Sequence, residues 1–366
     1  MSYYTQASSA ITMREYLPPD VLEMLHPFWH KFPPQHQLFY NLMALVYSIA
    51  GFFSVSGNLL VLWIFAKYAK LRSPSNILVM NLAFCDLMTM ATMVPECTIN
   101  FFMGGVWQFG DWACQFHAFC GSIFGYGQIA TLIFISYDRY NVVVNGVAAR
   151  PLSYGRVMLY LIFIWAFSSF WAIGPLVGYG SYALDGILAS CSYGFMDQST
   201  TNKAYILGCF FAAYVFPMMV ISVCYWHIVK AVINHERAMK EQAKKMNVAS
   251  LKSNADADKE STEIKIAKVA LMNVTLWVFA WTPFAVICLM GVLSDQSKLT
   301  PLVSALPILF AKTSCVYNPI IYSLSHPRFR QHLKKALPWF CITLPGDNAS
   351  TASTTSEMTN VKQEVA

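Results

Sequence analysis

The chain has 366 residues, of which 56% are apolar and only 12% charged, and it carries a net charge of +6. Soluble domains carry roughly 25% charged residues, so a soluble chain of this length could not hide so much apolar surface. The apolar residues come in separate long blocks and form no basic stripe, which predicts an all-α membrane protein and excludes a nucleic-acid partner.

Residues 1–37 carry scattered Pro and charge (Pro18, Pro19, Asp20, Pro33, Pro34) and lack the basic end and apolar run of a signal peptide. They are expected to form an extracellular N-terminus, with the first span also targeting the chain. Seven apolar stretches follow, near 38–66, 75–102, 111–143, 155–178, 204–230, 264–292 and 301–323. Each is close to the ~20 residues that a helix needs to cross about 30 Å of hydrocarbon. Long runs without alternation predict helices rather than barrel strands. The domain at 38–323 is therefore expected to be a seven-transmembrane-helix bundle.

Lys and Arg set the expected orientation. Lys67, Lys70 and Arg72 follow span one, and Arg150 follows span three. Arg237, Lys240, Lys244, Lys245, Lys252 and Lys259 lie between spans five and six, and Arg328, Arg330, Lys334 and Lys335 follow span seven. The opposite loops are poor in basic residues, which puts the N-terminus outside and the C-terminus in the cytosol. Residues 235–246 read as a cytoplasmic extension of span five or as a plain solvated helix. Residues 324–340 read as a short amphipathic helix on the membrane surface, with Pro327 in its first turn. Residues 341–366 are polar and Ser/Thr-rich and are expected to be a disordered cytoplasmic tail.

Charged groups inside spans are costly and mark candidate functional sites. Lys312 lies in span seven between two apolar stretches. A buried amine without its proton attacks an aldehyde to give a Schiff base; alternatively the side chain snorkels or pairs with an acid. Asp86 and Asn58 are candidates for a polar network with Asn318 and Tyr322, because buried polar groups need partners. Glu96, beside Pro95, and His117, near the outer start of span three, either serve a site or are wetted helix ends. Asp138-Arg139-Tyr140 closes span three as a two-state latch or as a positive-inside anchor. Trp281-Thr282-Pro283 and Asn318-Pro319-Ile320-Ile321-Tyr322 place prolines inside spans six and seven, giving kinks about which helices tilt.

Of ten cysteines, only Cys114 and Cys191 fall near or in outer loops, on the oxidising side, and a disulfide is predicted between them. The others lie in spans and read as packing residues. The exception is Cys341, past the surface helix, which is a palmitoylation site or a free thiol. No Cys or His cluster has metal spacing.

Asp138-Arg139-Tyr140, Trp281-Thr282-Pro283, Asn318-Pro319-Ile320-Ile321-Tyr322 and the Cys114–Cys191 pair together resemble the rhodopsin class of G-protein-coupled receptors, over about residues 38–340. Lys312, six residues before Asn318, matches the retinal-binding lysine of opsins. His235-Glu236 with Gln242-Ala243-Lys244-Lys245-Met246-Asn247, and Ser325-His326-Pro327-Arg328, resemble Gq-coupled invertebrate opsins. Trp29-His30-Lys31-Phe32-Pro33-Pro34 resembles the segment before span one of arthropod visual opsins.

The resemblance implies a light-activated receptor, not an enzyme, in the rhabdomeric plasma membrane. It implies 11-cis-retinal or a hydroxylated retinal bound covalently to Lys312, and a photoproduct that stays bound and can be photoreverted. The implied partners are a Gq-type G protein leading to phospholipase C, arrestin and a receptor kinase. The pocket carried over is Gly125, Tyr126, Phe210, Tyr214, Trp281 and Phe284, with Tyr193 as its outer lid. Asp185, six residues before Cys191, matches the second-loop counterion, which is usually Glu. Glu96 is a secondary counterion candidate. His117 stands where arthropod opsins usually hold Tyr and is expected to be neutral. Thr92 and Met93 replace the Lys of insect ultraviolet opsins, so visible absorption is expected. Ser350, Thr351, Ser353, Thr354, Thr355, Ser356 and Thr359 offer phosphorylation sites. The competing readings are a retinal photoisomerase, a receptor for a diffusible ligand and a transporter. Against them stand, in turn, the intact Asp138-Arg139-Tyr140, Lys312, and the lack of repeated halves.

Overall fold

The computed structural model describes residues 11–245, 262–325 and 327–338. Two short helices, α1 (Met13–Tyr16) and α2 (Pro19–Met24), and a 3-10 turn (Pro27–Lys31) precede the first span. Then come α3 (Gln37–Lys67), α4 (Pro74–Phe102), α5 (Gly110–Asn145) and α6 (Tyr154–Ile173). A hairpin of β1 (Tyr182–Leu184) and antiparallel β2 (Cys191–Tyr193) follows, with Tyr182 opposite Tyr193. Span five is α7 (Thr200–Phe210), a π-helical turn (Phe211–Val215) and α8 (Phe216–Lys245); span six is α9 (Thr262–Leu293). Among the described residues, six continuous helical segments are long and apolar enough to cross a membrane.

The seventh span is divided. α10 (Pro301–Lys312) and α11 (Ser314–Ser325) meet at Thr313, where one continuous helix over 301–323 was expected. The local chemistry explains the break. Thr313 Oγ1 donates to Phe310 O at 2.6 Å, and Ser314 Oγ donates to Ala311 O at 2.8 Å. Side-chain hydroxyls thus take up carbonyls near the end of α10. Each half is too short to cross alone, and the pair forms the span.

Helix starts follow from capping chemistry. Ser73, Ser153, Ser199 and Thr300 accept from the backbone N–H three residues on, at 3.2–3.3 Å. Pro74 and Pro301 occupy first helical positions, where a missing N–H costs nothing. In span five, the π turn lies just before Pro217, which has no N–H to donate.

α3 packs on α4, α4 on α5, and α5 on α6, α8 and α9, while α9, α10 and α11 close the ring back to α3 and α4. α5 is buried along most of its length and forms the axis of the bundle. Asn81 ties three spans together: its Nδ2 donates to Thr131 Oγ1 at 2.8 Å, and its Oδ1 accepts from Trp165 Nε1 at 3.2 Å. The outward face is apolar, with Phe52, Phe170, Trp226 and Phe279 all largely exposed. Such a surface fits hydrocarbon and not water.

Residues 11–36 are folded and cover the hairpin end of the bundle. Leu25 makes a parallel bridge with Leu184 of β1, and Met13 and Trp29 are buried. At the opposite end, α12 (Pro327–Ala336) lays Phe329 and Leu333 against Val61, Ile64 and Phe65 of α3. The amphipathic pattern of that segment thus has a protein partner, while Lys335 is exposed.

Candidate functional site

A cavity opens inside the bundle between α4, α5, span five, α9, α10 and β2. Gly125, Tyr126, Tyr193, Phe210, Tyr214, Trp281, Phe284 and Lys312 all line it. Trp281 is held on several sides. Its ring lies 5.4 Å from Trp277 and 6.2 Å from Phe284, and its Nε1 donates to Ser314 Oγ at 3.3 Å. Gly125 leaves room for it, since a Cβ there would stand 3.2 Å from the Trp281 ring.

Lys312 is the last residue of α10 and is only 6% exposed. Its Nζ lies 3.4 Å from Ser190 Oγ and 3.6 Å from Cys97 Sγ, and 5.2 Å from the centroid of the Tyr47 ring. Ser190 is held there by its neighbour: Cys191 is disulfide-bonded to Cys114 near the start of α5. One turn beyond Cys114, His117 is fully buried. Its Nδ1 lies 2.6 Å from Glu96 Oε2 and its Nε2 lies 3.2 Å from Ser190 Oγ. Lys312, Ser190, His117 and Glu96 therefore form one connected polar chain.

Asp185 is buried in the turn between the strands. Its Oδ1 accepts from the N–H of Ile187 at 3.2 Å and of Ala189 at 3.1 Å. These bonds hold a tight loop in which Leu188 adopts φ 64°, a conformation costly for a side-chain-bearing residue. Burial pushes the Asp185 carboxyl up to about 6, against the backbone N–H of Ala189 and the positive charge of Lys312, which hold it down. Among the described residues, no carboxylate makes an ion pair within 4.0 Å of Lys312. Among the described residues, no ion pair or hydrogen bond joins Asp185 to Lys312 Nζ.

The expected site residues thus divide into two sets. The aromatic set lines the cavity; Asp185, Glu96 and His117 lie outside its wall. His117 is no wetted helix end, while the Glu96 side chain remains 22% exposed. Ser190, Cys97 and Tyr47 crowd the lysine, and the sequence reading missed them. Cys97 reads as a packing residue, and Ser190 is marked only by its place beside Cys191.

Towards the far end, Asn318 Nδ2 donates to Asp86 Oδ2 at 2.5 Å. Asn58 does not join them directly: its Nδ2 donates to Ser54 O at 2.9 Å and to Cys315 O at 3.0 Å. Pro319 packs close to Gly57, where a Cβ would meet its ring at 2.9 Å. Arg139 and Asp138 are buried and paired with each other, and the Tyr140 ring lies edge-on to His227 at 5.7 Å. The side chains of Tyr322, His235 and Glu236 lie outside the described residues, as do Cys341 and the tail Ser and Thr.

The family model for the 7 transmembrane receptor (rhodopsin family) matches residues 57–322. A compound eye opsin of Hemigrapsus sanguineus is 41% identical over 98% of this chain and 97% of its own length. The chain belongs to the arthropod opsins. Opsin-1 of Schistocerca gregaria is 41% identical, over 96% of this chain and 92% of its own. A lateral eye opsin of Limulus polyphemus is 40% identical, over 92% and 88%. The crystal structure of squid rhodopsin superposes with a TM-score of 0.82 at 33% identity, covering 92% of this chain and 96% of that one. This opsin is therefore a multi-pass membrane receptor of the G-protein-coupled class and, like its relatives, not an enzyme.

Proposed function

We propose that this opsin is a visual pigment that binds 11-cis-retinal, or a hydroxylated form of it, through Lys312, and that it activates a Gq-type G protein. The observation that carries this reading is a single primary amine, buried in the wall of an apolar cavity with aromatic faces on Trp281, Phe284 and Tyr193. Those residues fit a conjugated apolar aldehyde: the aromatic faces would hold the polyene, and the amine would condense with the aldehyde to a C=N bond, the carbonyl oxygen leaving as water. Bound there, retinal supplies light absorption and a change of shape.

The chain's own residues account for the rest. Asp185 is the counterion, supplying negative charge at a distance from Lys312 Nζ. Trp281 takes up the change of shape in the cavity, and Pro283 two residues on gives α9 a joint. Motion of α9 loosens the Asp138–Arg139 pair at the Arg139 end and opens a groove between spans five and six for a partner helix. The hairpin end is extracellular and the Arg139 end cytoplasmic, following the placement of Lys and Arg. Arrestin and a receptor kinase act on the cytoplasmic face, and the receptor resides in the rhabdomeric membrane.

The test is an absorption spectrum of the purified protein regenerated with 11-cis-retinal, beside Lys312→Ala and Asp185→Asn. A visible band that Lys312→Ala abolishes supports the pigment, and a shift to the ultraviolet in Asp185→Asn assigns the counterion. No band from folded parent protein overturns the reading. Light-dependent nucleotide exchange on a Gq-type protein tests the coupling.

A further inference from the structure

The polar chain behind the cavity has a direction, and that direction points to a use. Lys312 Nζ has only donors to offer, and a carboxylate only acceptors. Between them stand a hydroxyl and an imidazole, each able to accept at one atom and donate at another. With Lys312 protonated and His117 neutral, only one arrangement satisfies every link. Lys312 N–H donates to Ser190 Oγ (3.4 Å), Ser190 O–H donates to His117 Nε2 (3.2 Å), and His117 Nδ1–H donates to Glu96 Oε2 (2.6 Å). The first three members are buried, whereas the Glu96 side chain is 22% exposed. The chain therefore has one sealed end and one open end.

We propose that Ser190, His117 and Glu96 form the proton path of Lys312, connecting its nitrogen to the outer rim of the bundle. The inference rests on the reading of Lys312 as the retinal-bearing lysine. In transfer outward, the proton on Lys312 Nζ passes to Ser190 Oγ while the Ser190 proton passes to His117 Nε2. The Nδ1 proton then passes to the Glu96 carboxylate. One proton has moved; Lys312 has lost one positive charge, Glu96 one negative charge, and His117 has changed tautomer without net charge. The reverse sequence reloads the lysine. Asp185 is not a member: its Oδ1 is held by the N–H groups of Ile187 and Ala189, and among the described residues no hydrogen-bonded side chain links it to Nζ. It supplies field, and Glu96 supplies the exit.

The other groups around this path are few. From α4, Cys97 Sγ stands 4.0 Å from His117 Nε2 and 3.6 Å from Nζ. From α3, the Tyr47 ring lies under Nζ; from the segment between α4 and α5, the Trp107 ring lies edge-on to His117 at 5.8 Å. A thiol is a weaker hydrogen-bond donor and acceptor than a hydroxyl, and among the described residues Cys97 reaches Glu96 only through His117. Proton exchange at the lysine is therefore governed by the Glu96–His117 pair.

Two measurements test this. In the regenerated pigment, hydrogen–deuterium exchange at the Lys312 nitrogen is followed by rapid-mixing Raman spectroscopy of its C=N stretch. Glu96→Gln and His117→Phe are each expected to slow exchange at least tenfold while a visible band remains. In the ligand-free protein, 15N-histidine spectra with His117→Phe as the difference control are expected to show a neutral Nδ1–H tautomer. Parent-like exchange in Glu96→Gln, or an Nε2–H tautomer at His117, overturns the path. A Glu96→Gln band moved to the ultraviolet also overturns it, because Glu96 would then be the counterion. If His117→Phe forms no pigment, Glu96→Gln decides. A parent protein without any visible band defeats the retinal reading instead, with the tautomer still deciding the geometry.

Discussion

Tyr214 and Thr282 are joined by a hydrogen bond of 2.5 Å between span five and span six. Thr282 Oγ1 donates to Val278 O at 2.6 Å, so it receives the Tyr214 proton. The bond ties the π-helical turn of span five to the residue just before Pro283, where α9 is jointed. Tyr214→Phe removes about 1 kcal/mol of net stabilisation. The visible band of the regenerated pigment should then decay about fivefold faster in the dark at fixed temperature. An unchanged decay would show that the two helices are not restrained through this contact.

Asp185 makes the site sensitive to pH. Its carboxyl titrates at about 6 in the folded protein and at its ordinary 3.8 when unfolded. The native state thus holds the proton more tightly than the unfolded chain. This group's contribution to stability is full below the unfolded value and is lost as pH rises through about 6. The thermal stability of ligand-free protein, scanned from about pH 4 to about pH 7, should fall more in the parent than in Asp185→Asn. Equal slopes would place the titrating group elsewhere.

Asp86 and Asn318 should behave as one unit. Asn318→Ala removes the amide that donates to a buried carboxyl and costs about 1–3 kcal/mol. A cycle of Asp86→Asn, Asn318→Ala and the double variant, read by thermal unfolding in lipid nanodiscs, should give a double loss smaller than the sum of the singles. Additive losses would mean that each side chain is satisfied independently.

Gly125 is where the cavity wall leaves little slack beside Trp281. Gly125→Ala places a methyl 3.2 Å from the Trp281 ring, tighter than ordinary contact, so the ring must shift. Regeneration with 11-cis-retinal should slow severalfold, and the absorption maximum should move. A parent-like rate would mean that Trp281 yields freely and does not gauge the ligand.

Much of the architecture is legible in the sequence, because membrane spans are written in long apolar runs and in isolated charges. The same simplicity makes Cys114 and Cys191 readable as a pair. What stays hidden depends on contacts between distant segments or on competition within one turn. Thr313 and Ser314 look like ordinary helix residues, yet their hydroxyls bond the carbonyls of Phe310 and Ala311 beside the break. Cys97 and Ser190 reach Lys312 from another helix and from a hairpin, and no periodicity announces either. The link between His117 and Glu96 joins two residues that appear separately as candidates, and only the packing of α4 on α5 brings them together. Asp185 is placed by its distance from Cys191, but its work in holding the Leu188 turn is visible only from the backbone.

Residues 11–36 lie across the hairpin, with Leu25 bridged to Leu184 and Trp29 packed beside Gly186 and Pro301. The strands that position Ser190 and Asp185 thus have the N-terminal segment as their roof. A shortened N-terminus, or a tag fused close to Met13, is then an alteration of the structure around Lys312. Such a variant should report on colour and dark noise as much as on expression.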